Sequence, residues 1–378
     1  MWYKRKVNKK PKIFVGVSGG VDSSVALALL EKEGYDVTGV FLKVWSPDFL
    51  PCDWKEERRS AMRVCALLGV PFLTFDFEKE YKKDVVDYMI REYSRGRVPN
   101  PDVFCNKYVK FGVFLKKMRA LGADYIATGH YARIHTNIRM NTNDTNSYEL
   151  RESADKEKDQ SYFLYTLNQE QLKHILFPVG GMAKTEVRKL ARKFGLPTAE
   201  KKDSQGLCFI GKIDLKNFLA HFIKTKSGNV LNIKGEVVGT HDGAIFYTIG
   251  QRHGINITKK TKNDPRFFVI SKDLKKNTIT VADKESEINE VYSTKEIVVI
   301  DMHFIGEEPK LPLKTTVRIR YRQVVQDSTL CKEVDGYHIV FDNLQSGVAV
   351  GQSAVLYDGY ICLGGGIIEK VINKVNKK

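Results

Sequence analysis

Residues Ser18 to Ser24 read SGGVDSS and follow directly on the apolar run Ile13–Val17. Gly19 and Gly20 carry no Cβ, so the chain can turn sharply there and let a ligand approach the backbone. Successive N–H groups in such a turn, with the start of the helix that follows, form a nest for an anion. Ser18 and Ser23 add hydroxyl donors. Asp22 would repel a bare phosphate, so a carboxylate at this point implies a bridging Mg²⁺. The stretch lacks the Lys-Ser/Thr ending of a Walker loop, and without a lysine for the β- and γ-phosphates a kinase reading fails. The GxGxxG dinucleotide pattern is absent too.

Thiols supply the second candidate chemistry. The chain has six cysteines, Cys52, Cys65, Cys105, Cys208, Cys331 and Cys362, and none forms a CxxC pair, which disfavours a zinc ribbon. Cys105 lies in GRVPNPDVFCNKYVKFG, where Pro99 and Pro101 stiffen the approach and Asn100 and Asp102 stand near a helix start. A helix N-terminus with Lys107 and Lys110 nearby favours thiolate. Cys208 lies in KKDSQGLCFIG, glycine-flanked and basic, a loop able to swing. An isolated cysteine is more often an inert buried hydrophobe, but these two settings point the other way. Cys65, in AMRVCALL, sits on an apolar helix face and belongs to the core. Cys331 and Cys362 sit in strand-like runs and read as structural, while Cys52 has no assignment.

The elements that must position these groups alternate. Strand patterns at 12–17, 36–44, 70–77 and 124–128 are separated by helical patterns at 23–33, 55–68, 81–93 and 109–121. Such alternation implies a doubly wound α/β fold with a parallel sheet, whose ligands bind beyond the carboxyl ends of the strands. The glycine loop and Thr128–His130 both follow strands. Asn141–Ser147 is a polar loop in a hairpin, and helical patterns recur at 168–176, 184–194 and 215–223. From Val230 onward short alternating runs such as TTVRIRYR, YHIVFD and SAVLYDG fit an antiparallel barrel or sandwich. The expected division is a catalytic domain over 1–212 with a basic N-terminal tail, a small mixed domain over 213–291 and a β-barrel over 292–378.

Composition bounds the partners. Among 378 residues, 61 Lys and Arg stand against 45 Asp and Glu, a formal net charge of +16 that favours a polyanion such as nucleic acid. No apolar run is long enough for a membrane span, and the basic N-terminus has no apolar core of a secretory signal. Sparse, unpaired cysteines in a long chain fit a reducing cytoplasm rather than a secreted disulfide framework.

SGGVDSS resembles the pyrophosphatase loop of enzymes that cleave ATP between the α- and β-phosphates to form adenylates. With GRVPNPDVFCNK, ADYIATGHYAR, KDQSYFLYTL, KKDSQGLCFIG, IRYRQ and GQSAVLYDG…CLGGGII, in that order, the chain resembles the tRNA-specific 2-thiouridylase family over nearly its whole length. It departs in its basic tail, in Gln205 and in the stretch QRHGINITKKTKNDPRFFVI. The resemblance implies an adenine nucleotide α-hydrolase-like catalytic fold. ATP would be bound by Gly16, Val17, Ser18, Gly19, Gly20, Val21, Asp22, Ser23 and Gly129, with Leu42 near the adenine and Asp22 on Mg²⁺. It implies adenylation of the C2 oxygen of the wobble uridine and sulfur transfer from a Cys208 persulfide. Cys105 would be the partner nucleophile, ending in a transient Cys105–Cys208 disulfide, and Asp102 an acid/base or water-orienting group. Asn100, Pro101 and Asp102 would line the pocket of the flipped base, beside His130. Lys158, Asp159 and Gln160, with Arg320, Tyr321 and Gln352 of the barrel, would contact the anticodon arm. Further implied are a protein sulfur donor and a monomeric, cytoplasmic state.

Other readings follow from the residues alone. The same loop serves amidotransferases, NAD-forming ligases and 4-thiouridine synthases. Cys105, Cys208 and Asp102 could instead hold an iron–sulfur cluster. A non-catalytic RNA-binding module would leave the phosphate loop and Asp22 without a task. His130 could be a satisfied histidine at a strand end, KDQ a helix cap and RIRYR a solvated strand face.

Overall fold

The computed structural model describes residues 10–49, 54–137, 147–202, 214–258, 266–283 and 293–372. Two compact units result: Met1–Val85, Asp102–Lys212 and Tyr360–Cys362 form the first; Val86–Pro101, Ile213–Gly359 and Leu363–Lys378 form the second.

The first unit is built on strands β1 (Lys12–Gly16), β2 (Asp36–Lys43), β3 (Phe72–Asp76), β4 (Tyr125–Ala127) and β7 (Ile175–Leu176), all parallel, in the order β3-β2-β1-β4-β7. β1 and β4 are apolar runs, as a sheet covered on both faces requires. Helices α1 (Val21–Lys32), α2 (Trp54–Leu67) and α3 (Lys184–Lys193) cover it, α1 packing against both the sheet and α3. The core joins Ile13 and Val15 of β1 to Val25 and Leu27 of α1, Val64 of α2 and Val187 of α3. The chain leaves β1 toward β2 and later returns to its other side with β4. Val15 pairs with Ala127 in register, so the segments after Gly16 and after Ala127 emerge side by side. That is the switch point of the sheet, where an open α/β sheet leaves a crevice. A hairpin of β5 (Ala132–Asn137) and β6 (Ser147–Glu152) follows β4.

Two expected helices differ. Asn168–Leu176 holds only the short helix Gln169–Leu172; Ile175 and Leu176 instead complete the sheet against Ile126 and Ala127. An open edge of β4 offers backbone partners that the end of a short helix cannot match. The helix expected from Val109 begins earlier, at Pro101, and runs to Ala120, with Cys105–Phe114 wound in wide π-type turns. Gly112 makes that winding possible, for a Cβ there would stand 2.8 Å from the Lys107 carbonyl oxygen.

The second unit has two cores. Strands β8 (Gly228–Leu231), β9 (Val237–His241), β10 (Asn256–Ile257), β11 (Phe268–Asp273) and β12 (Thr278–Ala282) form one sheet over Val230, Tyr247, Val269 and Ile279. Strands β13 (Thr294–Phe304), β14 (Leu313–Arg318), β15 (Gln326–Glu333), β16 (Gly336–Gln345), β17 (Ser353–Asp358) and β18 (Ile361–Ile372) form an antiparallel barrel in the order β13-β16-β15-β14-β17-β18, closed by β13 on β18. Alternate residues, among them Ile297, Val299, Leu330, Ile339 and Phe341, fill its interior. No helix among the described residues is long and apolar enough to cross a membrane.

Candidate nucleotide site and thiol-bearing helix

The turn between β1 and α1 is fixed by its own small side chains. Ser23 Oγ accepts from Ser18 N–H at 3.2 Å, and Ser24 Oγ donates to the Gly20 carbonyl at 2.7 Å. Gly19 adopts φ +78°, and a Cβ there would lie 2.5 Å from the Glu57 carbonyl oxygen, so only glycine fits. Gly20 stands at the N-cap with no side-chain cap on the helix, leaving first-turn N–H groups for an anion. Val17 and Val21 are buried beneath the turn, and Ser18 is exposed above it. Gly16 lies 3.7 Å, by its notional Cβ, from the Phe114 ring of the Cys105 helix. Gly129, in the neighbouring loop, presses on the turn itself: a Cβ there would stand 2.5 Å from Ser23 N. Leu42 is buried in β2, paired with Phe75 of β3.

Side chains distant in sequence complete the loop. Asp22 is held by Lys184, whose Nζ lies 2.7 Å and 2.8 Å from its two oxygens, and by the Tyr131 hydroxyl, which donates at 2.7 Å. Lys201 Nζ donates to the Gly19 carbonyl at 3.0 Å and pairs with Glu57 at 2.6 Å, while Ser60 Oγ donates to the same carbonyl at 3.2 Å. Arg188 of α3 donates to the carbonyls of Ala199 and Lys201. The segment that ends at Lys202 is therefore tied to the phosphate loop. Lys184, Lys201, Tyr131 and Glu57 were not legible beforehand; the only sequence signal was that two lysines precede the Cys208 loop. Asp22 offers a hard oxygen ligand with part of its side chain open to solvent, which fits one protein contact to Mg²⁺, provided Lys184 yields it.

Cys105 lies on the helix begun by Pro101, three residues after Asp102, so the two share a helix face. The thiol is fully buried, whereas a polar, basic setting was expected, and the lysines near it are engaged elsewhere. Lys107 lies over the Tyr108 ring, and Lys110 Nζ is 3.4 Å from His130 Nε2. Asn106 donates to the Phe163 carbonyl at 3.1 Å. Cys208 lies outside the described residues, as does Cys52. Among the described residues no group of three thiol, imidazole or carboxylate ligands gathers at Cys105; Glu296, Glu333 and His338 form one on the barrel. Of the three ligands a cluster would draw on, Cys105 and Asp102 are described and Cys208 lies outside the described residues. Cys65 is buried in the core, and burial pushes its thiol up to about 12.

His130 is buried between the rings of Phe111 and Phe177. Its Nδ1 lies 2.7 Å from Thr128 Oγ1. Burial and the Lys110 ammonium hold it well below the usual imidazole range, so it stays neutral. Asp159 is buried and accepts from Ser153 N–H at 2.9 Å and Ser161 Oγ at 2.8 Å, shaping its own turn. Gln160 pairs with Tyr131 through its amide oxygen at 2.9 Å and its own N–H at 2.8 Å. Lys158 is half-buried.

In the second unit Gln352 donates to the carbonyls of Val98 and Pro99 at 2.9 Å and 3.2 Å, steadying the approach to buried Asn100 and half-buried Pro101. Arg320 is exposed and Tyr321 half-buried on a turn braced by glutamines. Gln323 Oε1 accepts from Ile319 N–H at 3.0 Å, and Gln345 Nε2 donates to Gln326 Oε1 at 2.9 Å. Gln323 donates to Gln345 at 3.3 Å, linking the two. Arg322, at φ +62°, stacks on Tyr321 with its guanidinium 5.1 Å from the ring centroid.

Three family models match consecutive parts of the chain: a tRNA methyl transferase HUP domain over residues 11–212, a tRNA methyl transferase PRC-barrel domain over 216–283 and an aminomethyltransferase beta-barrel domain over 294–368. The tRNA-specific 2-thiouridylase MnmA of Alkaliphilus oremlandii is 42% identical over 371 residues, 97% of this chain and 99% of that protein. The protein of the same name from Listeria innocua is 44% identical over 372 residues, 97% of each chain. Among solved structures, the U34-tRNA thiolase NcsA of Methanococcus maripaludis with its [4Fe-4S] cluster covers 58% of this chain and 66% of its own at 17% identity and a TM-score of 0.34, too loose a likeness to bear on function.

Proposed function

The chain belongs to the tRNA-specific 2-thiouridylase family, and from that premise we propose that it adenylates the C2 oxygen of the wobble uridine in tRNA and replaces that oxygen with sulfur. The matching domain descriptions speak of methyl transfer, the full-length relatives of thiolation. A nest for pyrophosphate has no task in moving a methyl group, so the phosphate loop favours thiolation.

ATP would lie at the switch point of the parallel sheet, its phosphates on the N–H groups of Gly19–Ser23 and its adenine toward Leu42. Mg²⁺, held through Asp22, would neutralise charge on the phosphates. Attack by the uracil C2 oxygen on the α-phosphate breaks the bond to the β-phosphate, and pyrophosphate leaves. The oxygen, a poor leaving group on the base, becomes part of AMP. The terminal sulfur of a Cys208 persulfide then attacks C2 and AMP departs. Cys105, as thiolate, attacks the Cys208 sulfur; the sulfur–sulfur bond to the base breaks, leaving 2-thiouridine and a Cys105–Cys208 disulfide. An external thiol reductant must reopen that disulfide, and a protein sulfur donor must renew the persulfide.

The observation that carries the reading is the tie between the phosphate loop and the segment leading to Cys208. Lys201 is anchored on Gly19 and Glu57, and Cys208 follows Lys202 by six residues, a reach of about 20 Å at most. Cys105 must be uncovered to react, and its burial supports a reading in which the exchange takes place with RNA bound. Asn100, Pro101 and Asp102 would receive the flipped base. Arg320 and Tyr321 would meet the anticodon arm directly, whereas Gln352, Asp159, Gln160 and His130 would act by holding the segments around them.

The test is incubation with ATP, Mg²⁺, a persulfide donor and unmodified tRNA, read by mercury-affinity electrophoresis of the RNA and by pyrophosphate release. Wild type should retard the tRNA. Cys208→Ser should abolish retardation yet still release pyrophosphate; retardation that survives it would sink the persulfide role.

A further inference from the structure

The loop's anion nest contains no lysine, yet two ammonium groups reach it from distant segments. Lys201 contacts a carbonyl and Glu57 at the outer side of the turn. Lys184 reaches Asp22 itself, in the first turn of α1, where the open N–H groups lie. Its side chain is only 11% exposed, against 30% for Asp22. The Tyr131 ring lies 5.8 Å from the ammonium, and its hydroxyl shares the same carboxylate.

The backbone that delivers Lys184 is pinned. Lys184 N–H donates to Asp155 Oδ2 at 2.8 Å, and Ala183 N–H to Glu186 Oε2 at 2.8 Å. The other Asp155 oxygen accepts from the N–H groups of Glu157 and Lys158. A long, mobile side chain on a fixed helix start can move its charged tip by several ångströms while its root stays put. An Mg²⁺ ion and an ammonium cannot both occupy Asp22 without strong repulsion. With the metal-bound nucleotide on the carboxylate, phosphates in the nest, beside Asp22 at the helix start, would lie within a side chain's reach of Lys184.

We propose that Lys184 is a catalytic residue on the leaving-group side: its ammonium neutralises Asp22 in the nucleotide-free protein and transfers to the pyrophosphate that departs. The proposal rests on the adenylation reading and supplies the phosphate-directed lysine that the loop itself lacks.

The test measures binding of inorganic pyrophosphate and of AMP, each with Mg²⁺, by calorimetry on the full chain. Variants are Lys184→Gln, which keeps a hydrogen bond to Asp22 without the charge, and Lys184→Arg, which keeps the charge; tRNA binding and the melting temperature report folding. Lys184→Gln should weaken pyrophosphate at least tenfold and leave AMP within twofold, and Lys184→Arg should restore most of the pyrophosphate affinity. Wild-type pyrophosphate affinity in a folded Lys184→Gln protein would overturn the proposal. Equal weakening of both ligands would too, since that marks a merely structural clamp. Failure of wild type to bind pyrophosphate or ATP would remove the adenylation reading, and this proposal with it.

Discussion

Gly129 shows how little room the nucleotide loop has. Its Cβ position is 2.5 Å from Ser23 N and 2.7 Å from the Asp22 carbonyl carbon, both backbone atoms that no side-chain rotation can move away. Gly129→Ala must therefore push apart the end of β4 and the start of α1, at about 1–3 kcal/mol by the usual cost of overpacking. ATP affinity should fall about tenfold or more, as calorimetry would read it, while tRNA affinity stays near wild type. An unchanged ATP affinity would mean that the loop is pliable. The sequence placed Gly129 after a strand and, through family resemblance, at the nucleotide, but not against Ser23, because a close approach between segments over a hundred residues apart leaves no local pattern. The same limit hid Lys184, which lies 162 residues from Asp22, and Tyr131, which lies 109 residues away. Glycines and serines of the turn itself were legible, since their spacing alone dictates the backbone.

At the scale of elements, periodicity located strands and helices well where burial is one-sided and poorly where a neighbour competes. Ile175 and Leu176 fit a helical pattern but complete a sheet edge, and Cys105 begins a π-wound stretch that apolar spacing cannot announce. The barrel turn carrying Arg320 and Tyr321 depends on Gln345, which is buried and joins Gln323 to Gln326. Gln345→Ala would leave the turn's partners unsatisfied, and its anticodon-arm affinity should drop about tenfold with pyrophosphate binding unaffected, measurable by filter binding and calorimetry. Full tRNA affinity would show that the turn needs no brace. Elsewhere on the barrel, His338 Nδ1 lies 2.7 Å from Glu296 and its Nε2 2.7 Å from Asp335. Burial works to lower its pKa, but the hydrogen bonds to Glu296 and Asp335, helped by the charge of Glu333, raise it overall. A raised folded value stabilises the barrel fully below the imidazole's unfolded range near 6.5 and loses that stabilisation as pH rises through the folded value. Melting temperature should thus fall between slightly acidic and mildly alkaline pH, and His338→Gln should flatten the fall. A variant with the same slope as wild type would assign the pH dependence to other groups.

For the whole molecule, the net charge of +16 bears on RNA binding through counterions rather than through particular contacts. Each neutralised phosphate releases condensed cations, so the logarithm of affinity should fall linearly with the logarithm of salt, by about 0.7–0.9 per phosphate contact. With roughly six to ten such contacts, affinity for an anticodon-arm RNA would drop by about three to five orders of magnitude between about 50 and 200 mM salt. Pyrophosphate held at the loop by oriented N–H groups and Mg²⁺, as proposed, should respond far less. Arg320 is exposed on its turn, so Arg320→Ala should lower the salt slope for RNA by about one if the guanidinium meets a phosphate, and leave pyrophosphate binding alone. Filter binding across a salt series decides it. A slope unchanged by Arg320→Ala alongside a loss of affinity at every salt would instead assign the guanidinium to a base edge. An affinity nearly flat in salt would show that the positive charge of this chain serves something other than RNA.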